Sequence, residues 1–252
     1  MMSSAKQTIP EFIENAAKQI AIVGFCLVAD TFADDRIDDT IAELETALTK
    51  QSAEPAAIQS RDGVVYAARN VLDFFPQAAD LWRTEAIVQL LTRILGPQCG
   101  LVRVLYFDKP PAQTWSLAWH QDQAIAVKDN TLPSKVFTKP THKAGVPHVN
   151  APRALLERML TLRLHLDDVT EENGPLRVIP GSHIAEDSQA DSSTAETILA
   201  QRGDVLAMRP LVSHSSGKSD PETTRHRRIL HFEFAADSQL PDGYAWHDFV
   251  AL

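Results

Sequence analysis

The second half of this chain constrains its fold more than any other feature. Beyond residue 100 come five short apolar runs, "LVRVLYF", "MLTLRLHLDDV", "LRVIPGSH", "GDVLAMRP" and "RRILHFEF", separated by Pro, Gly, Asp and Asn. Short runs punctuated in this way predict strands of a sandwich or barrel. Gly174-Pro175 and Pro180-Gly181 mark turns between them. In "TLRLHLDDV" the leucines at 162, 164 and 166 alternate with Arg163, His165 and Asp167. That alternation predicts a half-buried strand with one polar face, from which Arg163 and His165 can line a cavity if the face looks inward.

The first hundred residues have a different period. Segments 10–20 and 33–50 repeat apolar residues every three or four positions (Ile37, Ile41, Leu44, Leu48), which predicts two amphipathic helices. Between them "IAIVGFCLV" reads as a strand, and 78–95 reads as a third helix stopped by Gly96-Pro97. Segment 123–157 carries four prolines and reads as a long loop, more often a functional lid than idle chain. The polar stretch 186–196 reads as a solvated excursion. The expected architecture is a single domain over 1–252, mainly β with helical additions (α+β). A helical N-terminal layer (1–99) rests on a jelly-roll core (100–252) with a lid at 123–157.

Composition excludes several classes of partner. Of 252 residues, 44% are hydrophobic and 23% charged, an ordinary globular balance, and the net charge of −9 offers nothing to a nucleic acid or an anionic membrane. The most apolar run, "IAIVGFCLVAD", is too short to cross a bilayer, and the N-terminus lacks a signal-like apolar region. Two cysteines, Cys26 and Cys99, suit a reducing compartment. The expectation is a soluble cytoplasmic protein; nothing in the sequence assigns an oligomeric state.

Three His-x-acid pairs are present: His120/Asp122, His165/Asp167 and His231/Glu233. Residues i and i+2 of an extended segment share a face, so each pair can offer two ligands to one cation. Two His and one carboxylate on one face of an octahedron leave three positions open, the arrangement of non-haem Fe(II) oxygenases. Context separates the pairs. His165/Asp167 and His231/Glu233 sit mid-strand, where a polar strand face explains them. His120/Asp122 follows the polar loop "DKPPAQTWS" and precedes the long segment 123–157, as a site near an entrance requires. His214, after the apolar run "LAMRPLV", is the candidate third ligand. Beyond it Arg225, Arg227 and Arg228 precede a strand, and a guanidinium there can grip a dicarboxylate as a bidentate fork.

The order "WHQD", "ENGPLRVIPGSH", "GDVLAMRPLVSHSSGKS", "RRILHFEF", with "YFDKPP" ahead of the first His, resembles the phytanoyl-CoA dioxygenase family of Fe(II)/2-oxoglutarate-dependent oxygenases over roughly residues 100–235. The resemblance implies a double-stranded β-helix, with iron held by His120, Asp122 and His214. Ser216 matches a family position that contacts the 2-oxoglutarate carboxylate. For the 2-oxoglutarate arginine, spacing from the distal His lands on Arg225 and strand alignment lands on Arg227. Arg227 is preferred, because strand register is harder to alter than loop length. The carboxylate at Asp122 argues against the halogenating branch, where a small residue stands there.

The resemblance further implies an oxidoreductase using Fe(II), 2-oxoglutarate and O2. Such an enzyme oxidises, by default hydroxylates, a small molecule while 2-oxoglutarate becomes succinate and CO2. Arg163, Trp119 and His165 are the expected substrate contacts; Gln121 is expected to point away from iron. The alternatives are a cupin-type metalloenzyme that does not use 2-oxoglutarate and a non-catalytic jelly-roll binding protein.

Overall fold

A computed structural model describes residues 8–50, 58–61, 64–111, 115–185 and 191–252. Along the chain run α1 (Ile9–Val23), β1 (Phe25–Val28), α2 (Asp34–Lys50), β2 (Ile58–Arg61), β3 (Val64–Ala68), α3 (Val71–Phe74), α4 (Ala78–Leu81) and α5 (Glu85–Leu95). Then follow β4 (Gly100–Phe107), β5 (Leu117–His120), β6 (Ala124–Ala126), β7 (Thr138–Lys143), β8 (Val146–Asn150) and α6 (Arg153–Leu156). The chain finishes with β9 (Met159–His165), β10 (Leu176–Val178), β11 (Glu196–Ile198), β12 (Val205–Met208), β13 (His214–Ser216), β14 (Ile229–Ala235) and β15 (Val250–Ala251).

The strands form a jelly-roll core. The large sheet runs β1-β12-β9-β14-β4-β3-β2, with β15 paired to β4, and the small sheet runs β11-β10-β13-β5. Alternation assigns the two faces of the large sheet. Leu160, Leu162 and Leu164 of β9 and Leu230, Phe232 and Phe234 of β14 pack outward in one cluster with Ile13 and Ile20 of α1, Leu44 of α2 and Leu90 and Leu91 of α5. Each such fully buried side chain contributes about 1.5–3 kcal/mol of apolar burial. Arg163, His231 and Glu233 take the opposite, inward face, where they line a cavity between the sheets. Beyond the cavity the two sheets pack directly, through Phe25, Leu206 and Met208 on one side and Leu176, Val178 and Ile198 on the other. A bulge on β4 changes the alternation: Glu233 pairs with Arg103 but Phe234 with Leu101, so Val102 is the extra residue. Leu101 and Val104 thereby both face the helices, and Arg103 faces the cavity.

Four expectations need correction. The run "IAIV" is helical and only Phe25–Val28 is a strand. Ile20 continues the buried helical stripe of Ile13, Ala16 and Ala17, and Gly24 ends the helix at φ +96°. A Cβ at Gly24 would lie 2.4 Å from Val212 Cγ2, so only glycine fits this reversal. The helix expected over 78–95 is two, because Thr84 caps a new start by accepting from the Ile87 N–H at 3.4 Å. The layer 1–99 is not purely helical, since β1, β2 and β3 join the large sheet. Finally, 123–157 is not a loop: β6, β8 and β7 form a third antiparallel sheet, followed by α6. Val102, Ile125, Val149, Leu240 and Trp246 bury its apolar side against the end of the barrel. Part of the polar stretch 186–196 lies outside the described residues. Among the described residues no helix is long and apolar enough to cross a membrane.

Candidate active site

His120 is the last residue of β5 and His214 the first of β13; the two are register partners in the small sheet. Their rings stand 4.2 Å apart. Asp122 lies two residues past β5, held by its N–H donating to Pro210 O at 2.9 Å. Its carboxylate faces both rings, at 3.7 Å from His120 Nε2 and 3.6 Å from His214 Nε2. One ligand atom from each residue lies within 4.8 Å of the other two, as a shared cation requires.

The tautomers suit that role. His120 Nδ1 lies 2.8 Å from Ala118 O and His214 Nδ1 lies 2.9 Å from Val212 O, contacts that place a proton on each Nδ1. Each Nε2 then presents a lone pair to the centre. Burial pulls His214 down to about 4, so the imidazole is neutral near pH 7. Burial pushes Asp122 upward, but the neighbouring His214, His231, His120 and Arg103 outweigh it and hold the carboxyl at about 2. Two imidazole Nε2 lone pairs and one ionised carboxylate form the donor set.

The three residues line a cavity of about 450 Å³ between the sheets. Ser216 and Arg227 line its inner part. Arg227 is 1% exposed, donates from Nη1 to Gly174 O at 2.8 Å, and leaves its buried Nε without a partner. Lys109 Nζ donates to Ser216 Oγ at 3.1 Å and to the carbonyls of Gly174 and Gly217. Gly174, at φ +68°, gives its carbonyl to both cations, and a Cβ there would meet Gly217 O at 2.8 Å and Lys109 Nζ at 2.9 Å. Burial, with Arg163 next, pulls Arg227 down to about 9, and burial, then Arg227 and Arg163, pulls Lys109 down to about 6. An anion seated among them would relieve that crowding.

Arg163 lines the cavity floor and donates from Nη1 to His231 Nδ1 at 3.2 Å. The proton of His231 is then on Nε2, 3.5 Å from Glu233 Oε1. Glu233 also receives Arg103 Nη2 at 2.5 Å, and Arg103 donates a second bond to Ala124 O of β6 at 3.1 Å. Burial pushes Glu233 up, and Arg103 and His231 overcome it.

Three of the nine expected site residues lie elsewhere. Arg225 is about half exposed and pairs with Glu172 at 2.8 Å, because the chain is still surface loop at that point. Trp119 points outward on β5, 36% exposed, with the Arg177 guanidinium 5.7 Å over its ring. His165 is buried with Nδ1 3.1 Å from Asp204 O and does not line the cavity. Its strand is buried on both faces, not one. Gln121 lines the cavity, although its Nε2 donates away to Leu211 O at 2.7 Å. His231 and Glu233, set aside as a mid-strand pair, are cavity residues, as are Arg103, Arg69 and Lys143. The available signal was a charged residue inside each of three otherwise apolar runs, "LVRVLYF", "TLRLHL" and "RILHFEF". Three such strands side by side require a polar interior.

The sequence model of the phytanoyl-CoA dioxygenase family matches residues 22–228. A probable alpha-ketoglutarate-dependent hypophosphite dioxygenase of Stutzerimonas stutzeri is 26% identical over 189 residues, covering 67% of this chain and 56% of the relative. L-proline trans-4-hydroxylase of Streptomyces griseoviridis is 31% identical over 141 residues, covering 55% and 43% respectively. The chain thus spans about half the length of the curated relatives it matches. Among solved structures, EctD from S. alaskensis with bound Fe superposes with a TM-score of 0.67 at 17% identity, over 93% of this chain and 79% of that one. At that identity the likeness is one of fold, and the fold is the jelly roll described above.

Proposed function

Because the chain belongs to the phytanoyl-CoA dioxygenase family, we propose that it is an Fe(II)- and 2-oxoglutarate-dependent dioxygenase that oxidises, by default hydroxylates, a small molecule. One observation carries the reading: a two-histidine, one-carboxylate cluster and a buried arginine with an unpartnered Nε line one cavity. Neither half explains the other without a metal and a carboxylate co-substrate between them.

In this reading His120, Asp122 and His214 hold the metal on one face, their orientation kept by the Ala118 and Val212 carbonyls and the Pro210 backbone. Arg227 holds the distal carboxylate of 2-oxoglutarate, with Ser216 and Lys109 beside it. Arg163 lines the same cavity and leaves its buried Nε without a partner, available to either the co-substrate or the substrate. Bound Fe(II), 2-oxoglutarate and O2 supply the oxidising chemistry, and 2-oxoglutarate leaves as succinate and CO2. The protein's own contribution is orientation and a largely buried wall that limits water. The named substrates of the curated relatives, hypophosphite and L-proline, are small, and a 450 Å³ cavity shared with a co-substrate fits that size class. Two free, buried cysteines suit a reducing cytoplasm.

Anaerobic titration with Fe(II) and 2-oxoglutarate tests the proposal. A weak visible charge-transfer band that needs both, and is lost in His120→Ala, is the expected result. Tight iron binding with no band would instead indicate a metalloenzyme that does not use 2-oxoglutarate. Failure to bind iron would indicate a binding protein on the same scaffold.

A further inference from the structure

The cavity is lined by more cationic side chains than the co-substrate needs. Arg163 and Arg227 of the lining, with Lys109 bonded to Ser216, form the inner group: Arg163 acts on Arg227, and both act on Lys109. Arg69, Arg103 and Lys143 form the outer group, coupled to one another and to Glu233. Arg163 and Arg227, like Arg69, Arg103 and Lys143, line the same cavity as His120, Asp122 and His214.

The outer group holds three cations that face two carboxylates, Glu233 and Asp122, and Asp122 is committed to the metal cluster. Glu233 is already engaged by Arg103 at 2.5 Å and by His231 at 3.5 Å. Among the described residues neither Arg69 nor Lys143 has an ion-pair or side-chain hydrogen-bond partner. Arg103 is 9% exposed, lines the cavity, and leaves buried Nε and Nη1 with no partner. Like charges crowded on a half-buried wall with unfilled donors cost stability unless an anion completes them.

The backbone holds this arrangement together. Asn70 Nδ2 donates to Ala144 O at 3.1 Å, joining the corner after Arg69 to the turn after Lys143. Both Asn70 and Ala144 adopt positive φ, +53° and +52°, a conformation non-glycine residues seldom keep without restraint. Arg103 in turn ties β4 to β6 through Ala124 O. Burial, then the nearby Arg103, Lys143 and Arg69, keep His148 down at about 4, so it adds no charge.

We propose that Arg69, Arg103 and Lys143 form the substrate's oxyanion seat, so that the small molecule oxidised here carries a carboxylate, phosphonate or phosphate group. This rests on the reading above, because it takes the inner group as filled by 2-oxoglutarate. Selectivity among small molecules then follows charge before shape.

The test uses the full chain without O2, with Fe(II) and saturating 2-oxoglutarate, where the charge-transfer band reports separately on the oxygenase reading. Acetate, methylphosphonate and inorganic phosphate are titrated into that complex by calorimetry, with acetamide as the neutral control. A second arm repeats the titrations with 2-oxoglutarate but no iron. At least one anion should bind in both arms while acetamide does not. Arg69→Gln and Lys143→Gln, both partly exposed and safe for folding, should each weaken that anion about tenfold, the scale of one charge-assisted hydrogen bond. The band and the affinity for 2-oxoglutarate should stay unchanged. The seat is overturned if none of the three anions binds, if acetamide binds as well as acetate, or if Arg69→Gln combined with Lys143→Gln binds like the wild type. Loss of the band with anion binding intact would sink the oxygenase reading and leave the seat standing.

Discussion

His120 and His214 are register partners across the β5–β13 pair, and Asp122 meets both Nε2 atoms, at 3.7 and 3.6 Å. The cluster therefore depends on one ladder contact between strands far apart in sequence. Replacing either histidine with alanine removes a direct ligand and should lower Fe(II) affinity by about 100-fold or more, beyond what loss of an outer-shell partner costs. Calorimetry under anaerobic conditions measures this. Trp119→Ala and His165→Asn should bind iron like the wild type, because neither side chain lines the cavity.

Arg225 and Arg227 separate the two ways of aligning the co-substrate arginine. Arg227→Leu removes a buried charge from the inner end and should weaken 2-oxoglutarate by about 100-fold, from the 2–5 kcal/mol typical of truncating a buried charged contact. Arg225→Gln loses only surface pairs with Glu172 and Asp168 and should leave 2-oxoglutarate affinity within about twofold. Equal effects of the two variants in anaerobic binding would overturn the assignment.

Arg103 and Glu233 form a pair exposed by only 10% and 5%. Glu233→Ala leaves a buried guanidinium uncompensated and should cost about 3–5 kcal/mol in denaturant unfolding. Arg103→Met combined with Glu233→Leu should recover most of that loss, since it removes both charges at once. A double variant as unstable as the single one would mean the pair stabilises the fold outright.

Burial holds His165 at about 3 and His148 at about 4, against 6.5 for an ordinary imidazole. In the folded chain both stay neutral where the unfolded chain takes up protons. Stability is then complete above about pH 6.5 and falls as the pH drops toward 4. His165 alone contributes on the order of 2 kcal/mol to the loss between pH 6.5 and 4.5. Thermal unfolding of the metal-free chain across that range should show a shallower acid limb in His165→Asn. An unchanged limb would exclude His165 as a cause.

The metal cluster was legible because its members are local in sequence or end an apolar run, and strand ends show in punctuation. The strands beyond residue 100 were legible for the same reason. Arg103, His231 and Glu233 were not, because a charged residue inside a strand looks alike whether it faces water or a cavity; the partner sheet decides. The third sheet was hidden by four prolines, two of them within its strands: Pro140 in the edge strand β7 and Pro147 in the central strand β8, a position where proline argues against a strand. Trp119 misled by adjacency to His120: the neighbour of a strand residue points to the other face.

The third sheet begins and ends at one place. Ala151 donates its N–H to Gln123 O at 2.9 Å, so the chain leaves the barrel and returns beside its point of departure. Residues 123–151 therefore form a cassette with its own ladder, tied also to Ala245–His247, and they carry Lys143 and the Ala124 carbonyl that receives Arg103. On the proposed seat, exchange of that cassette should change which anion binds while leaving β5, β13, His120 and His214 in register.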